Sequence, residues 1–449
     1  MRMQKFQVMP IVGHRSKSIV LGAASTDQHM LLGRLAEVGP SKNVNLDIEK
    51  EHVIAILGKR GSGKTYTLGV VLEGLISTSA QVSTHSSDKA VLVLDTLNLF
   101  QWIGIPLETA EGKVAKEQLD RARSWGLATT PLSVKLWHLA GSAPVTKDSS
   151  PFLVQVNDMS AQDWGFLFDV DIMMDPMGQL IVSACDKVRR TGWQSNSEHR
   201  KPSPNHSIPD LVDCIGKDKE LSNDFSPETR RAVRQRLMSY EHVGLFSTNG
   251  TKLTDLLQPD QASVLLLGRC PEDLRTVVAF LLMRKLRELR SISSEQKKDS
   301  LITGAEESRG SLSVPPTWVL IDEAQNIIPS RTASLANQEL TRFVREGRNF
   351  GLSMVISTQQ PQAIDPRVMS QVDILVVHTL TVQGDISYIM NNLKSASPES
   401  IILGRQPVKL QEAIRELEVG QCLISATDAQ RGLFAEIRPR ITPHGGFEA

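Results

Sequence analysis

Short apolar runs of strand length recur along the chain, and segments with helical spacing lie between them. The runs are Val53 to Leu57, Ala90 to Leu94, Ser263 to Leu267, Trp318 to Ile321, Ser353 to Ser357, Ile374 to His378 and Gln421 to Ser425. Many are near-continuous in Val, Ile and Leu, which is typical of strands buried on both faces. The pattern therefore predicts an α/β core, a largely parallel sheet covered by helices.

Two helices are marked by their ends or by their spacing. One has Ser226 at a predicted N-cap and Pro227 at its first position, and continues to Tyr240. A second is predicted from about Pro271 to Arg290, where apolar residues form one stripe. The polar segment 291–313 follows it without apolar period, and a loop is predicted there.

The predicted elements divide the chain into three parts. Residues 1–50 contain strand-like pieces but too few apolar residues to fold alone, so we expect a small β (barrel-like) element packed on the core. Residues 51–449 would form the core, ending in a tail at 438–449. Several helical patterns lie between the second and third core strands, and these predict a helical insertion at about 150–258.

The composition of the 449-residue chain, with 40% hydrophobic residues, is typical of a globular protein. Its apolar runs are far shorter than the ~18 to 20 residues that span a bilayer, so no membrane contact is expected. Four separated cysteines and the absence of an export signal favour a reduced, cytoplasmic setting over a zinc site. Because 50 basic residues balance 50 acidic ones, any nucleic-acid contact must come from local basic clusters.

A phosphate-binding loop is predicted at residues 58–65, where GKRGSGKT matches GxxxxGK[ST] between a strand and a helix. Its backbone N–H groups and the helix N-terminus would face the phosphates of ATP. Lys64 would reach the β- and γ-phosphates, and Thr65 would bind Mg²⁺. The predicted nucleotide-binding residues are Gly58, Lys59, Arg60, Gly61, Ser62, Gly63, Lys64, Thr65 and the adjoining Tyr66.

Two acids end the apolar run that begins at Trp318. Asp322 would hold Mg²⁺ through water, and Glu323 would polarise the attacking water. A base next to the metal-binding acid separates ATPases that turn over repeatedly from nucleotide kinases and switch GTPases. The run Ser263 to Leu267 fits a sheet with an extra strand between the phosphate-loop strand and the magnesium strand. Together these features suggest a motor-type ATPase.

Polar residues flank the run Ser353 to Ser357. Gln359 follows it and is the predicted contact to the γ-phosphate or the lytic water, with Gln360 as the alternative. Arg345 and Arg348 precede it, where a guanidinium would reach the nucleotide of a neighbouring subunit. The alternative for each arginine is a solvated helix face or an internal ion pair with Glu346.

These motifs resemble the HerA/FtsK class of ring-forming DNA motors, and HerA more closely. The matching pieces are GKRGSGKT at 58–65, VLVLDTLN at 91–98, SVLLLGRCPEDLR at 263–275, WVLIDEAQNIIP at 318–329, the REGRNFG to VVHTL block at 345–380 and RPRITPHGG at 438–446. The resemblance covers most of the chain outside the insertion. The block at 345–380 with the tail is its most specific part.

The resemblance implies a RecA-like P-loop ATPase that forms a homo-hexamer and pumps double-stranded DNA, commonly beside a nuclease partner. In one subunit the catalytic and metal-binding residues would be Lys64, Thr65, Asp322, Glu323 and Gln359, with Arg345 or Arg348 supplied by the next subunit. Asp95 matches a family acid near the nucleotide. The family often has Gly-Glu shortly after that acid, whereas this chain has Thr96 to Asn98, so only a polar role is expected for Asn98.

The predicted function is an ATP-dependent DNA translocase or helicase in DNA processing or anti-phage defence, with a nuclease or other effector partner. One alternative is a conjugation-type secretion ATPase, which usually needs a membrane anchor. Another is an ATP-binding regulatory or scaffold subunit. The basic stretch Lys187 to Arg190 and the arginines of the 226–240 helix could bind DNA phosphates, although solvated helix faces are the simpler interpretation.

Overall fold

A computed structural model describes residues 5–11, 18–23, 26–84, 88–195, 198–304, 314–328 and 335–446. The strands are β1 (Phe6–Met9), β2 (Ser18–Leu21), β3 (His29–Leu35), β4 (Asn43–Asp47), β5 (Val53–Leu57), β6 (Ala90–Asp95), β7 (Val134–Leu139), β8 (Ser150–Phe152), β9 (Val154–Gln155), β10 (Trp193–Gln194), β11 (His199–Arg200), β12 (Phe246–Ser247), β13 (Ala262–Leu266), β14 (Thr317–Ile321), β15 (Leu352–Thr358), β16 (Ile374–Val377), β17 (Ser400–Leu403), β18 (Gln406–Val408), β19 (Gln421–Ala426) and β20 (Leu433–Ile437). The α-helices are α1 (Lys64–Ile76), α2 (Lys113–Ser124), α3 (Ala161–Phe168), α4 (Pro176–Asp186), α5 (Ile208–Lys217), α6 (Lys219–Asp224), α7 (Pro227–His242), α8 (Leu253–Leu256), α9 (Glu272–Thr303), α10 (Leu335–Gly347), α11 (Pro366–Met369), α12 (Gln383–Asn392) and α13 (Leu410–Arg415).

One large sheet organises the fold, in the order β2-β4-β3-β20-β19-β16-β5-β15-β14-β6-β13-β7-β8 across the described residues. Neighbouring strands from β16 to β8 run parallel. The β16-β19-β20-β3-β4 pairs are antiparallel. The predicted α/β fold with a largely parallel sheet is confirmed, and each of the seven apolar runs forms a strand of this sheet.

The central strands bury both of their faces. In β5, Val53, Ala55 and Leu57 join one hydrophobic core, while Ile54 and Ile56 join the other. Successive side chains of a strand point to opposite faces, so a continuous apolar run fills two cores at once. Parallel strands have their carboxyl ends at one edge, and this edge carries the phosphate loop after β5.

A strand lies between β5 and the magnesium strand β14, but it is β15. The run at residues 263–267 was the wrong candidate, because β13 pairs with β6 and β7 on the far side of β14. Its position between the two motifs in sequence does not give its position in the sheet. The extra strand therefore comes from the segment that ends in Gln359.

The long segment between β6 and β13 contains both helices and strands. Helices α3 to α7 occupy residues 161–242, and Ser226 caps α7 by accepting the N–H of Thr229, as predicted. Strands β7 and β8 extend the main sheet beside β13, which the sequence interpretation missed. Lys135 and His138 interrupt the apolar run of β7 and so conceal it.

The loop predicted at 291–313 is wrong as far as Gly304, because α9 continues to Thr303. No Gly or Pro occurs within α9, and Glu, Gln and Lys favour helix even where no apolar stripe remains. Gly304 ends the helix in the left-handed conformation at φ 68°. Residues 305–313 lie outside the described residues.

Strands β2, β3 and β4 lie at the edge of the main sheet, whereas β1 pairs with β17 in a separate three-stranded sheet. Strand β3 pairs with β20 near the end of the chain, and β4 and β2 follow. The proposed division at residue 50 stays a prediction. Across the described residues, no helix combines the length and the apolar character needed to cross a membrane.

Candidate nucleotide site

The phosphate loop joins β5 to α1 at the carboxyl edge of the parallel strands. Gly61 and Gly63 adopt φ of 76° and 109°, values that residues with a Cβ disfavour. At Gly58 an added Cβ would lie 2.5 Å from the Ser62 hydroxyl, so the loop is closely packed as well as curled. The loop borders a cavity of about 1060 Å³. Its lining includes these predicted residues: Arg60, Gly61, Gly63, Lys64, Thr65, Tyr66, Glu323 and Gln359.

Lys64 and Thr65 line this cavity, and the fully buried Asp322 lies directly behind Thr65. The Lys64 ammonium donates to the carbonyl of Lys59 at 3.0 Å, and burial lowers its pKa against the opposing charges of Glu323 and Asp322. The Thr65 hydroxyl lies 3.2 Å from Asp322 Oδ1, and Ser357 donates to the same oxygen. Burial raises the pKa of Asp322 to about 6. Adjacent hydroxyl and carboxylate oxygens suit Mg²⁺.

Glu323 follows directly and turns its carboxylate toward two amides. Gln359 donates to Oε1 and Gln325 donates to Oε2 at 2.8 Å, while the Thr358 hydroxyl donates to the side-chain amide oxygen of Gln325 at 2.6 Å. Glu323 is 4% exposed and adopts φ 48°, a left-handed conformation that is costly for this residue type. Between the two candidates after β15, the structure brings Gln359 to Glu323. The backbone N–H of Gln360 donates to the Thr358 hydroxyl at 3.0 Å.

Asp95 ends β6 beside β14 and is fully buried. Its carboxylate accepts the backbone N–H groups of Leu97, Leu99 and Phe100 at 2.8 to 3.2 Å, and burial raises its pKa to about 7. Since Leu97 and Leu99 line the cavity, Asp95 shapes the cavity wall. Asn98, in the same turn, accepts the N–H of Gly268 at 2.9 Å.

The two arginines lie at the opposite edge of the sheet from the phosphate loop of their own chain. Arg348 donates to the carbonyl of Gln371 at 3.0 Å and lies 3.2 Å from Asp373, whose carboxylate accepts the N–H of Val53 at the start of β5. Arg345 is 64% exposed and contacts Glu346 at 3.3 Å. Neither arginine lines the cavity.

A buried histidine connects this opposite edge to β4. His52 Nδ1 lies 2.8 Å from Asp373, and Nε2 lies 3.0 Å from Asp47. Burial alone would lower the pKa of His52, but the two carboxylates raise it to about 9. The imidazole is therefore protonated at neutral pH and links two carboxylates.

The tail passes over α1 and forms one wall of the cavity. Arg438 and Arg440 are fully buried and pair with Glu73 of α1 at 2.8 and 3.2 Å. Tyr66 accepts the backbone N–H of Arg440 at 2.7 Å and packs edge-on against His444, with the ring centroids 5.2 Å apart. Pro439, His444, Gly445 and Gly446 line the same cavity as the phosphate loop.

The sequence interpretation missed Glu73, Gln325 and His378. Glu73 lies in an apolar helix, where a single acid is a weak signal of a buried partner. Gln325 is part of the DEAQ tetrapeptide, and its two-residue spacing from Glu323 was the available clue. His378 directly follows β16, next to the phosphate-loop strand, but nothing in the sequence indicates that β16 and β5 are neighbours.

Several residues of the two basic clusters contact other parts of the chain, whereas Arg190, Arg231 and Arg234 are exposed. Lys187 pairs with Asp218 and Glu220, and Arg189 donates to backbone carbonyls that include Asn157 at 3.2 Å. In α7, Arg236 donates to the carbonyl of Phe168 at 2.6 Å. These contacts favour the interpretation of structural or solvated helix faces.

Comparison with known families and proteins gives a consistent set of similarities. Residues 31–286 match the family described as "Helicase HerA, central domain". The DNA double-strand break repair helicase HerA of Sulfurisphaera tokodaii is 23% identical over 203 residues, which are 45% of this chain and 38% of that protein. The protein of the same name from Pyrococcus furiosus is 20% identical over 413 residues, 84% of this chain and 67% of that protein. The chain thus matches less than half the length of the S. tokodaii relative.

Among solved structures, VirB4 of Thermoanaerobacter pseudethanolicus aligns over 93% of this chain and 98% of its own, at 13% identity and a TM-score of 0.48. The bacterial conjugative coupling protein TrwBdeltaN70 aligns over 90% and 88%, at 12% identity and a TM-score of 0.49.

Proposed function

The chain belongs to the family of the HerA helicase central domain, as its motifs predicted, and from this premise we propose that it is an ATP-hydrolysing motor that moves double-stranded DNA. The observation that carries the proposal is a set of five side chains from three strand ends, of which four line one cavity and the fifth, Asp322, contacts Thr65 behind it. They are Lys64, Thr65, Asp322, Glu323 and Gln359. The names of the relatives, DNA double-strand break repair helicases, support DNA as the substrate.

Each side chain has a separate task in this proposal. The loop amides and Lys64 bind the phosphates, while Thr65 and Asp322 hold Mg²⁺, which when bound neutralises charge on the phosphate oxygens. Glu323 accepts a proton from the attacking water. The amides of Gln325 and Gln359 hold the Glu323 carboxylate, and Gln359 is free to exchange this bond for one to the γ-phosphate.

We propose further that the motor is a homo-hexameric ring in which an arginine of one subunit completes the site of the next. The support is geometric, because Arg345 and Arg348 lie at the sheet edge away from their own cavity. Arg345 is favoured, since its side chain is 64% exposed and contacts Glu346 on its own helix, whereas the Arg348 side chain is 39% exposed and contacts Asp373. A guanidinium there would stabilise charge on the transferring phosphoryl group.

The setting of the motor is proposed from family membership. Action in DNA processing or anti-phage defence, beside a nuclease or other effector protein, is our proposal for the ring. DNA would be held through phosphates, so binding should not depend on sequence.

ATPase rate with and without linear duplex DNA tests the proposed function. We expect Mg²⁺-dependent hydrolysis that duplex DNA stimulates several-fold and that Glu323→Gln abolishes. Glu117→Gln is a matched control, because Glu117 is exposed on α2 and lies outside the cavity lining. Hydrolysis that ignores DNA would contradict the motor and favour an ATP-binding scaffold subunit instead.

A further inference from the structure

His378 lies beneath the phosphate loop, at the carboxyl end of β16, and is fully buried. Its backbone N–H donates to the carbonyl of Leu57, the last residue of β5, at 2.7 Å. The side chain packs against both ends of the loop. A Cβ added at Gly58 would lie 2.8 Å from the Cβ of His378, and one at Gly63 would lie 3.7 Å from its ring.

Both ring nitrogens of His378 have partners. Nδ1 lies 2.8 Å from the carbonyl oxygen of Gln421, and Nε2 lies 2.8 Å from the hydroxyl of Thr67. Because a carbonyl oxygen only accepts, Nδ1 carries the hydrogen, and the Nε2 of a neutral ring accepts from Thr67. Burial and, to a smaller extent, the nearby charge of Lys64 lower the pKa of His378 to about 4, so the ring is neutral at physiological pH.

The next residue, Thr379, makes a further contact with the loop. The carbonyl of Thr379 accepts the N–H of Lys59 at 2.8 Å, and the Thr379 hydroxyl donates to the carbonyl of Leu417 at 2.7 Å. Residues 378 and 379 therefore hold the start of the loop through Leu57 and Lys59. They hold the first turn of α1 through Thr67.

We propose that His378 is a positioning residue for the nucleotide site, and that its bond to Thr67 holds the loop amides in the curvature that binds phosphate. This inference rests on the proposed ATP site. The loop amides contact phosphate in both the bound substrate and the transition state. Loss of their alignment should therefore raise KM for ATP and leave kcat nearly unchanged.

A double-mutant cycle tests the bond. His378→Phe and Thr67→Val should each weaken binding of a fluorescent ATP analogue about tenfold, the effect of one buried hydrogen bond and its unpaired partner. The double variant should be no weaker than the worse single variant, because both changes remove the same bond. Each variant should show raised KM with kcat within about twofold of the parent. Thr67→Val keeps the test available if His378→Phe does not fold.

His138→Phe is the matched control. His138 is also nearly buried at a strand end, and its Nδ1 lies 2.9 Å from the Ser149 hydroxyl, but it is in β7, away from the loop. It should leave nucleotide affinity unchanged. Parent affinity in the folded His378 and Thr67 variants, or losses that add in the double variant, would overturn the inference. If the parent protein itself binds no nucleotide, the proposed function fails instead.

Discussion

Glu73 is predicted to anchor the C-terminal tail to the nucleotide site. Its carboxylate is fully buried on α1 and accepts from Arg438, Arg440, the N–H groups of Ile441 and Thr442, and the Thr442 hydroxyl, at 2.6 to 3.2 Å. Glu73→Gln would keep the shape of the side chain and remove its charge. It would also replace one acceptor oxygen by a donor that faces other donors.

The magnitude follows from burial. Two guanidinium groups, at Arg438 and Arg440, share one carboxylate, and all three residues are fully buried. Removing one partner of a buried pair costs ~3–5 kcal/mol, because the remaining charge stays out of water. The tail carries Pro439 and His444 on the cavity wall, so we also expect weaker nucleotide binding when it detaches.

Urea unfolding and hydrogen exchange check this prediction. Glu73→Gln should lower the free energy of unfolding, or that of local opening of residues 438–446, by ~3–5 kcal/mol. Glu117→Gln, at an exposed position of α2, is the control and should change neither. Unchanged unfolding together with unchanged exchange in the tail would refute the assignment of Glu73 as the anchor.

Four further predictions follow from the site and its surroundings. Lys64→Ala should weaken ATP binding and abolish hydrolysis, whereas Glu323→Gln should bind ATP without turnover; equilibrium binding and phosphate release separate the two. A mixture of Lys64→Ala subunits with Arg345→Ala subunits should regain part of the ATPase activity. A second mixture, of Lys64→Ala with Arg348→Ala subunits, shows which arginine acts between subunits. DNA binding should be insensitive to sequence and fall steeply with salt in filter binding. The protonated His52 should stabilise the fold by about 3 kcal/mol below about pH 6.5, and this should be lost as pH rises through about 9; urea unfolding of the parent and of His52→Gln measures the difference.

Controls for the mixtures are available in the chain. Arg405→Ala removes an exposed arginine outside the cavity lining and should leave the parent activity unchanged. Exchange of subunits is verified by pull-down of tagged copies. If neither mixture regains ATPase activity after verified exchange, neither arginine acts on a neighbouring site.

Except for β7 and β8, the strands of the parallel core were predictable because burial on both faces leaves a local signal in the sequence. The order of those strands was not. The run at residues 263–267 lies between the two motifs in sequence, yet β15 occupies the position between β5 and β14. Strand order depends on pairing across long separations, which periodicity does not encode.

The residues that hold the site in place could not be predicted from the sequence either. Glu73 and Arg440 are more than 360 positions apart, and His378 and Thr67 are 311 apart. Motif spacing identified Lys64, Asp322 and Glu323 because Lys64 lies at the end of the phosphate loop and the two acids directly follow an apolar strand. The side chains that support them are identified only when the sheet brings distant segments together.

The most direct test of the central claim is displacement of a triplex-forming oligonucleotide from linear duplex DNA. We expect the protein to displace the third strand in the presence of Mg²⁺ and ATP, from duplexes of unrelated sequence, and we expect Glu323→Gln to leave it in place. Active ATP hydrolysis on duplex DNA with the third strand left in place would contradict translocation.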